Sequence, residues 1–273
     1  MRGTVFYKMS GSGNDFVMLD GRYTRAEDWP PTRISEACDR RQGIGADGLA
    51  ILTPEELGRV RMTFFNCDGS PAAMCGNAAL CSTRLAAYLE LADGAGMSLM
   101  TGAGAFPTRC VGDGWCAELN LPSFDLPRAR SEIPRSEGES GIYFCQVGVP
   151  HLVVLVSDVE GIDLPGRGRE LRFHPALANG GANVNFVGIT GPNPGAPWPI
   201  RTYERGVEGE TLACGTGAVA AGVSLSLAGH DTLPTSFRTR SGLVLTVNAK
   251  PEPDKVRDVW LGGEGRLVFT GLI

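Results

Sequence analysis

Apolar and β-branched residues along this 273-residue chain fall in short runs closed by Gly, Pro, Asn or Asp. Thr4–Tyr7, Phe16–Leu19, Arg61–Phe65, Leu152–Val156, Val184–Val187 and Leu243–Val247 read in this way as strands. Three segments break the pattern. Thr32–Arg40, just after Pro30-Pro31, reads as a helix. Cys75–Leu91 and Cys214–Gly229 are also helical in pattern and nearly uncharged, the first carrying only Arg84 and Glu90 and the second nothing. A helix apolar on almost every face belongs inside a larger structure. The pattern therefore predicts two sheet-rich domains, each enclosing one central helix that opens at a cysteine. Pro122–Pro134 and Gly191–Pro199 read as surface loops or linkers, the first joining the halves.

The halves resemble each other. Phe64–Leu91 and Thr202–Gly229 each hold a polar turn, a Cys-Gly step and a helical run, with Cys75 and Cys214 139 residues apart. Phe6 onward echoes Tyr143 onward at an offset of 136 when Asp15 is set against His151, and Gly43 onward echoes Gly181 onward at 138. Three echoes in one order at nearly constant offset point to duplication and fusion of one ancestral domain; the period is far too long for a solenoid.

Composition narrows the function. The length suits two domains of about 100–150 residues, and 42 % hydrophobic against 20 % charged residues supplies a core. Gly, at 38 residues, is about twice its usual share. A net charge of −5 gives no electrostatic reason to expect a nucleic-acid partner. Eight cysteines without a C-x-x-C pair exclude the commonest zinc and thioredoxin spacings, and His151, His174 and His230 are too scattered for a metal centre. No signal-like apolar run opens the sequence, and the uncharged stretch Cys214–Gly229 is too short to span a bilayer, so the expectation is a cytoplasmic protein with no membrane partner.

Cys75-Gly76-Asn77 and Cys214-Gly215-Thr216 set a thiol at a helix N-terminus, where unpaired N–H groups and the dipole favour an anion. The thiol pKa is then expected below its free value of about 8.5, and the small residues after each cysteine let a carboxylate approach the backbone. Cys38, Cys67, Cys81, Cys110, Cys116 and Cys145 read instead as packing residues. Two such thiols suit inversion of a carbon acid, one acting as base and the other as acid, with the helix N-termini holding the charge that develops on the carboxylate. The expectation is a racemase or epimerase without a cofactor. A pyridoxal-phosphate enzyme needs a Schiff-base lysine, and of Lys8, Lys250 and Lys255 only Lys8 lies near a motif, without a phosphate cradle.

Six ordered motifs carry a family resemblance: KMSGSGNDFVMLD from Lys8, GIGADG from Gly43, FFNCDGSPAAMCGNAA from Phe64, GVPHLVV from Gly148, GANVNFV from Gly181 and YERGVEGETLACGTGA from Tyr203. Over essentially its whole length the chain resembles the diaminopimelate epimerases. The resemblance implies an α+β fold of two pseudo-symmetric domains, 1–120 and 121–261, each a barrel-like, mostly antiparallel sheet around a central helix. It implies that the last strand, within 262–273, returns to the first domain and that the site lies in the cleft between domains. It also implies epimerisation of LL-2,6-diaminopimelate to the meso form by a homodimer, in lysine and peptidoglycan-precursor synthesis.

By the same resemblance Cys75 and Cys214 are the acid/base pair. The backbone at Gly76, Asn77, Gly215 and Thr216 receives the reacting carboxylate, and Asn14 contacts substrate near the reacting centre, although alone it reads as a Gly-Asn turn. Asn66, Asn183, Glu204 and Arg205 match the residues that hold the distal amino-acid centre, where Arg suits a carboxylate and Glu an ammonium; out of context Glu204-Arg205 reads as a surface pair. His151 reads equally as orienting a cleft loop or as a packed histidine. Two positions depart from the pattern: Val149 stands where many relatives have Asn, and Gly48 where some have Gln. Two other readings stay open, a racemase of another amino acid such as histidine on the same scaffold, and a thiol redox or anion-binding protein.

Overall fold

The computed structural model describes residues 3–56, 58–112, 114–177, 180–190 and 195–273; the first four residues of the Gly191–Pro199 loop expectation lie outside them. The chain divides into two units, one of Met1–Asn120 with Gly262–Ile273 and the other Leu121–Leu261.

The first unit begins with strands β1 (Val5–Gly11) and β2 (Asn14–Asp20), helix α1 (Pro31–Cys38), strands β3 (Gly48–Glu55), β4 (Arg59–Asn66) and β5 (Pro71–Ala72), and helix α2 (Gly76–Tyr88). Strands β6 (Met97–Thr101), β7 (Gly104–Val111) and β8 (Cys116–Leu121) follow. Antiparallel steps join β1 to β2, β3 to β4, β4 to β5, β6 to β7 and β7 to β8. The parallel steps, β2 to β3 and β4 to β6, are the ones spanned by helices α1 and α2, as parallel neighbours require a crossover.

The second unit repeats the plan. Short strands β9 (Phe124–Asp125) and β10 (Arg128–Ala129) precede β11 (Glu139–Val147), β12 (Val149–Val156), α3 (Leu164–Arg172), β13 (Asn183–Gly188), β14 (Trp198–Glu204) and β15 (Gly209–Thr211). Helix α4 (Gly215–Leu227) and strands β16 (Thr235–Arg238), β17 (Val244–Pro251) and β18 (Lys255–Glu264) complete it. The pairings β11/β12 antiparallel, β12/β13 parallel, β13/β14 and β14/β15 antiparallel, β14/β16 parallel and β16/β17 antiparallel reproduce the first unit step by step. The unit boundary falls inside β18, and the last strand, β19 (Arg266–Leu272), pairs antiparallel with β1. Each unit is thus an α+β fold, a mostly antiparallel, barrel-like sheet around one buried helix.

Both faces of the central strands are covered, which is why they read as apolar runs and not as alternation. In the first unit Val17, Leu19, Leu49 and Ile51 pack with Trp29, Ile34 and Ala37 at α1, while Phe16, Met18, Ala50 and Leu52 are buried on the opposite face. In the second, Leu152, Val154, Val184, Phe186 and Tyr203 pack with Leu164 and Leu171 of α3. Helices α2 and α4 are 13 residues long and buried along most of their length.

Some expected boundaries shift. The first helix runs Pro31–Cys38, not Thr32–Arg40, and each cysteine caps its central helix without being its first residue. Pro122–Pro134 is not a bare linker: Phe124–Asp125 pairs with β18 and Arg128–Ala129 with β11. Helix α3 has no signal in its Leu-Pro-Gly-Arg-Gly start; Asp163 caps it by accepting from Gly166 N at 3.2 Å. Among the described residues no helix is long and apolar enough to cross a membrane.

Candidate active site

In the first unit Cys75 is the N-cap of α2, with extended backbone (φ −140°, ψ 120°). Its carbonyl accepts the first helical bond, from Ala79 N at 2.9 Å. A cysteine here sets sulfur where a capping hydroxyl or carboxylate would ordinarily sit. Two residues on, the buried Asn77 donates from Nδ2 to Asn14 Oδ1 at 2.7 Å, and Asn14 donates from Nδ2 to Asp47 Oδ2 at 2.9 Å. Asn77 Oδ1 is buried without a hydrogen-bond partner among the described residues. Behind Asn14 stands an ion-pair network. Arg40 bridges Asp15 and Asp47, each at 2.6 Å, while buried Lys8 binds Asp15 at 2.6 Å and donates to the Gly45 carbonyl. Burial alone would raise the Asp15 carboxyl, but Arg40 and Lys8 overcome it and hold the group at about 2. Asn66 ends β4 in an exposed turn and donates to Ser70 Oγ at 3.0 Å.

In the second unit Cys214 caps α4 in the same way (φ −136°, ψ 107°), with Ala218 N donating to its carbonyl at 3.0 Å. Thr216 takes the place of Asn77: its Oγ1 lies 3.8 Å from Cys214 Sγ and 3.0 Å from His151 Nε2. Asn14 thus makes the contact in the first unit that His151 makes in the second, although the sheet register sets Phe16 against His151, one residue beyond the Asp15 of the sequence echo. The buried Asn185 lies behind His151, its Nδ2 3.2 Å from His151 Nδ1 and 2.9 Å from the Leu152 carbonyl, while Thr202 donates to its Oδ1 at 3.0 Å. Asn183 accepts the Arg205 N–H at 2.7 Å, which fixes the backbone of the Glu204-Arg205 pair. A Cβ on Gly217 would lie 2.1 Å from Asn185 Oδ1 and 3.1 Å from Cys214 Sγ, so only glycine fits where helix, asparagine and thiol converge.

The electrostatics correct one expectation. Burial, with the Glu204 charge adding to it, pushes the Cys214 thiol up to about 11; the Gly217 N–H and the Thr216 hydroxyl act in the lowering direction and are outweighed. A helix N-terminus was expected to bring the thiol below 8.5, but desolvation of the anion is the larger effect here. Burial also raises the Glu204 carboxyl, and burial with the Arg205 charge lowers His151 to about 3, so the imidazole is neutral at physiological pH. Of the two roles left open for His151, the fully buried ring is packed and also hydrogen-bonded to the α4 entrance. Of the six cysteines read as packing residues, Cys38, Cys81 and Cys145 are buried and Cys110 half-buried, whereas Cys67 and Cys116 are exposed and fill no core. Their turn and strand-start positions put the side chain outside, which a rule based on residue type overlooks.

The comparisons with known proteins fit this repeated architecture. A profile described as "Diaminopimelate epimerase" matches residues 6–116 and again 143–258, once in each unit. The chain belongs to the diaminopimelate epimerase family. A diaminopimelate epimerase of Gemmatimonas aurantiaca is 44 % identical over 278 residues, covering 98 % of each chain. That of Aquifex aeolicus is 37 % identical, covering 97 % of this chain and 96 % of the relative. Among solved structures, a Bacillus anthracis phenazine biosynthesis protein of the PhzF family shares the fold, with a TM-score of 0.74 at 13 % identity over 100 % of this chain and 99 % of its own.

Within this diaminopimelate epimerase fold, sequence reasoning overlooked Asn185, Thr202 and the Asp47–Arg40 pair. Asn183-Val-Asn185 did hold a signal, since residues two apart on a strand share a face. Gly48 is explained locally, whereas nothing in the structure explains Val149. A Cβ on Gly48 would lie 2.6 Å from the Phe65 carbonyl and 2.8 Å from the Phe64 ring, so Phe64 already fills the space that a longer side chain would need.

Proposed function

We propose that this protein epimerises LL-2,6-diaminopimelate to meso-diaminopimelate without a cofactor, Cys75 and Cys214 exchanging the roles of base and acid on the α-carbon. The observation that carries the proposal is the matched pair of N-cap cysteines, one per repeat, each followed by a glycine at the first position of a buried helix. The N–H groups at Gly76, Asn77, Gly215 and Thr216 would hold the reacting carboxylate and take up the charge that spreads into it as the proton leaves. Asn14 would orient the substrate beside Cys75. Asn66, Asn183, Glu204 and Arg205 would hold the distal centre, Arg205 on the carboxylate and Glu204 on the ammonium. A two-base reaction needs one thiol and one thiolate at once, and a Cys214 thiol near 11 suits the resting acid.

The supporting relatives carry the name diaminopimelate epimerase and match this chain over nearly their whole length. The product serves lysine and peptidoglycan-precursor synthesis, which we place in the cytoplasm. We further propose a homodimer, for which exposed Val268, Phe269 and Leu272 of β19 with Val5 of β1 offer an apolar surface. Incubation with LL-diaminopimelate in heavy water, without added cofactor and with reductant, should yield α-deuterated meso product; absence of deuterium at any pH where the protein is folded overturns the reading. Val149 and the Phe64-filled Gly48 site favour a second reading, a racemase of another amino acid. Faster exchange with another substrate in the same assay, insensitive to Arg205→Ala, would establish it.

A further inference from the structure

We propose that Asn185, held by Thr202, is a positioning residue for the Cys214 thiol, fixing the His151 tautomer so that a one-way run of hydrogen-bond donors ends at the sulfur. The inference rests on the acid/base role of Cys214 and names a residue that acts through others.

The direction follows from donor and acceptor chemistry. The Leu152 carbonyl can only accept, so the Asn185 atom 2.9 Å from it is the NH2 group. That same nitrogen faces His151 Nδ1 at 3.2 Å and supplies its second proton there, making Nδ1 the acceptor. The ring is neutral, so its one proton sits on Nε2 and is donated to Thr216 Oγ1 at 3.0 Å. The Thr216 hydroxyl, with one lone pair taken by His151, keeps its own proton free for Cys214 Sγ, 3.8 Å away, and is necessarily the donor there once the sulfur is a thiolate, which can only accept. At the far end Thr202 donates to Asn185 Oδ1 and anchors it, while the Leu152 carbonyl, which can only accept, keeps the amide from turning over. Each proton in the series points toward Cys214.

The packing supports a built device. Asn185 is fully buried, an expensive position for an amide unless its groups are bonded, and Thr202, Leu152 and His151 engage both of its ends. The missing Cβ of Gly217 is what lets Asn185 reach this place. The other ionisable groups toward Cys214 are Glu204 on β14, which raises its thiol, and the neutral thiol of Cys145, paired in register with His151 on β11 and itself held at about 12. Arg205 acts on His151. Arg238 on β16 and Lys250 on β17 are exposed, Lys250 being paired with Asp258. A hydrogen bond to the thiolate favours the charged form, so the donor run opposes the burial of the sulfur.

Long-range proton–nitrogen NMR reads the tautomer directly, with only three histidines to assign. Alkylation at Cys214, followed by peptide mass spectrometry, reads its thiolate fraction. In the native protein His151 is expected as the Nε2–H form. In Asn185→Leu the two tautomers should mix, and the Cys214 alkylation rate between pH 7.5 and 9.5 should fall about tenfold, one pKa unit, while the Cys67 rate stays unchanged. Thr202→Val should move both readouts the same way by less. An Nδ1–H ring in the native protein, or a folded Asn185→Leu with native alkylation, overturns the proposal. If Asn185→Leu fails to fold, Thr202→Val decides, and native values for both readouts overturn it. Neither readout needs diaminopimelate, so failure of the epimerase assay remains a separate result.

Discussion

Asn77 donates to Asn14 across 2.7 Å, and Asn14 passes a proton of its own to Asp47, so in the first unit the donors run away from the helix entrance. At the equivalent place in the second unit they run toward it. One end of each arrangement is therefore electrically different, a carboxylate in the first and a neutral hydroxyl chain in the second. Asn14→Ala removes the acceptor of a buried amide and releases Asp47 toward Arg40. We expect kcat/KM for LL-diaminopimelate to fall about a hundredfold, the cost of a misplaced reacting group, with Tm lowered by only a few degrees. Steady-state kinetics beside thermal unfolding separates the two effects.

Gly217→Ala places a methyl group where Asn185 Oδ1 and Cys214 Sγ already converge. The approach to Asn185 Oδ1, 2.1 Å, is the one that cannot stand, so the amide is pushed off Thr202 and His151, while Cys214 Sγ, at 3.1 Å, needs to yield only slightly. Activity should drop about a hundredfold or more, and Cys214 should become slower to alkylate, as in Asn185→Leu, because the displaced amide no longer orders the donors that end at the sulfur. Kinetics and peptide mapping of the alkylated protein check this.

Cys75→Ser and Cys214→Ser each remove one of the two acid/base groups. A positioned proton-transfer group contributes about 10²–10⁴ in rate, so each variant should lose at least that factor in epimerisation while keeping the native circular dichroism spectrum. Retention of more than a tenth of the activity by either would point to a thiol redox or anion-binding role.

Acid should weaken the fold in two stages. His151 titrates at about 3 in the native state against about 6.5 unfolded, so the unfolded chain binds the extra proton and stability falls from about pH 6.5 down to 3. Asp15, depressed to about 2, contributes stability above its unfolded value that is lost as pH drops through 2. His151→Gln should remove the first stage and leave the second, as read from Tm between pH 7 and 2.

The alkaline limb has the opposite sign. Cys38 and Cys214, held at about 11, and Cys145, at about 12, stay neutral in the native state while the unfolded thiols ionise near 8.5. Their contribution is complete below 8.5 and is lost as pH rises through 11 to 12. Cys145→Ala should flatten the fall of Tm above pH 9.

Much of this was legible in the chain itself. The uncharged helices could only be central, and the turn-flanked Cys75 and Cys214 could be recognised because glycine and a repeat marked them. The relay behind Cys214 was hardly legible, its one trace being that Asn185 shares a strand face with Asn183. Asn185 and Thr202 lie in β-rich runs where polar residues look incidental, and only the β12/β13 and β13/β14 registers bring them beside His151. The thiol shift was missed for a different reason. A helix dipole is visible in sequence as position, whereas desolvation depends on neighbours contributed from distant strands. Helix α3 escaped because its capping, by Asp163, offsets a composition that disfavours helix.

The pairing of β19 with β1 has a consequence for the order of assembly. On the ribosome β1 emerges before the other strands and β2 follows it at once, yet its second antiparallel neighbour arrives only with residues Arg266–Leu272. The second unit, contiguous from Leu121 to Leu261, has all its strands in hand before that moment. The half made first is therefore the half finished last, and a nascent chain must hold an open sheet edge for most of its synthesis.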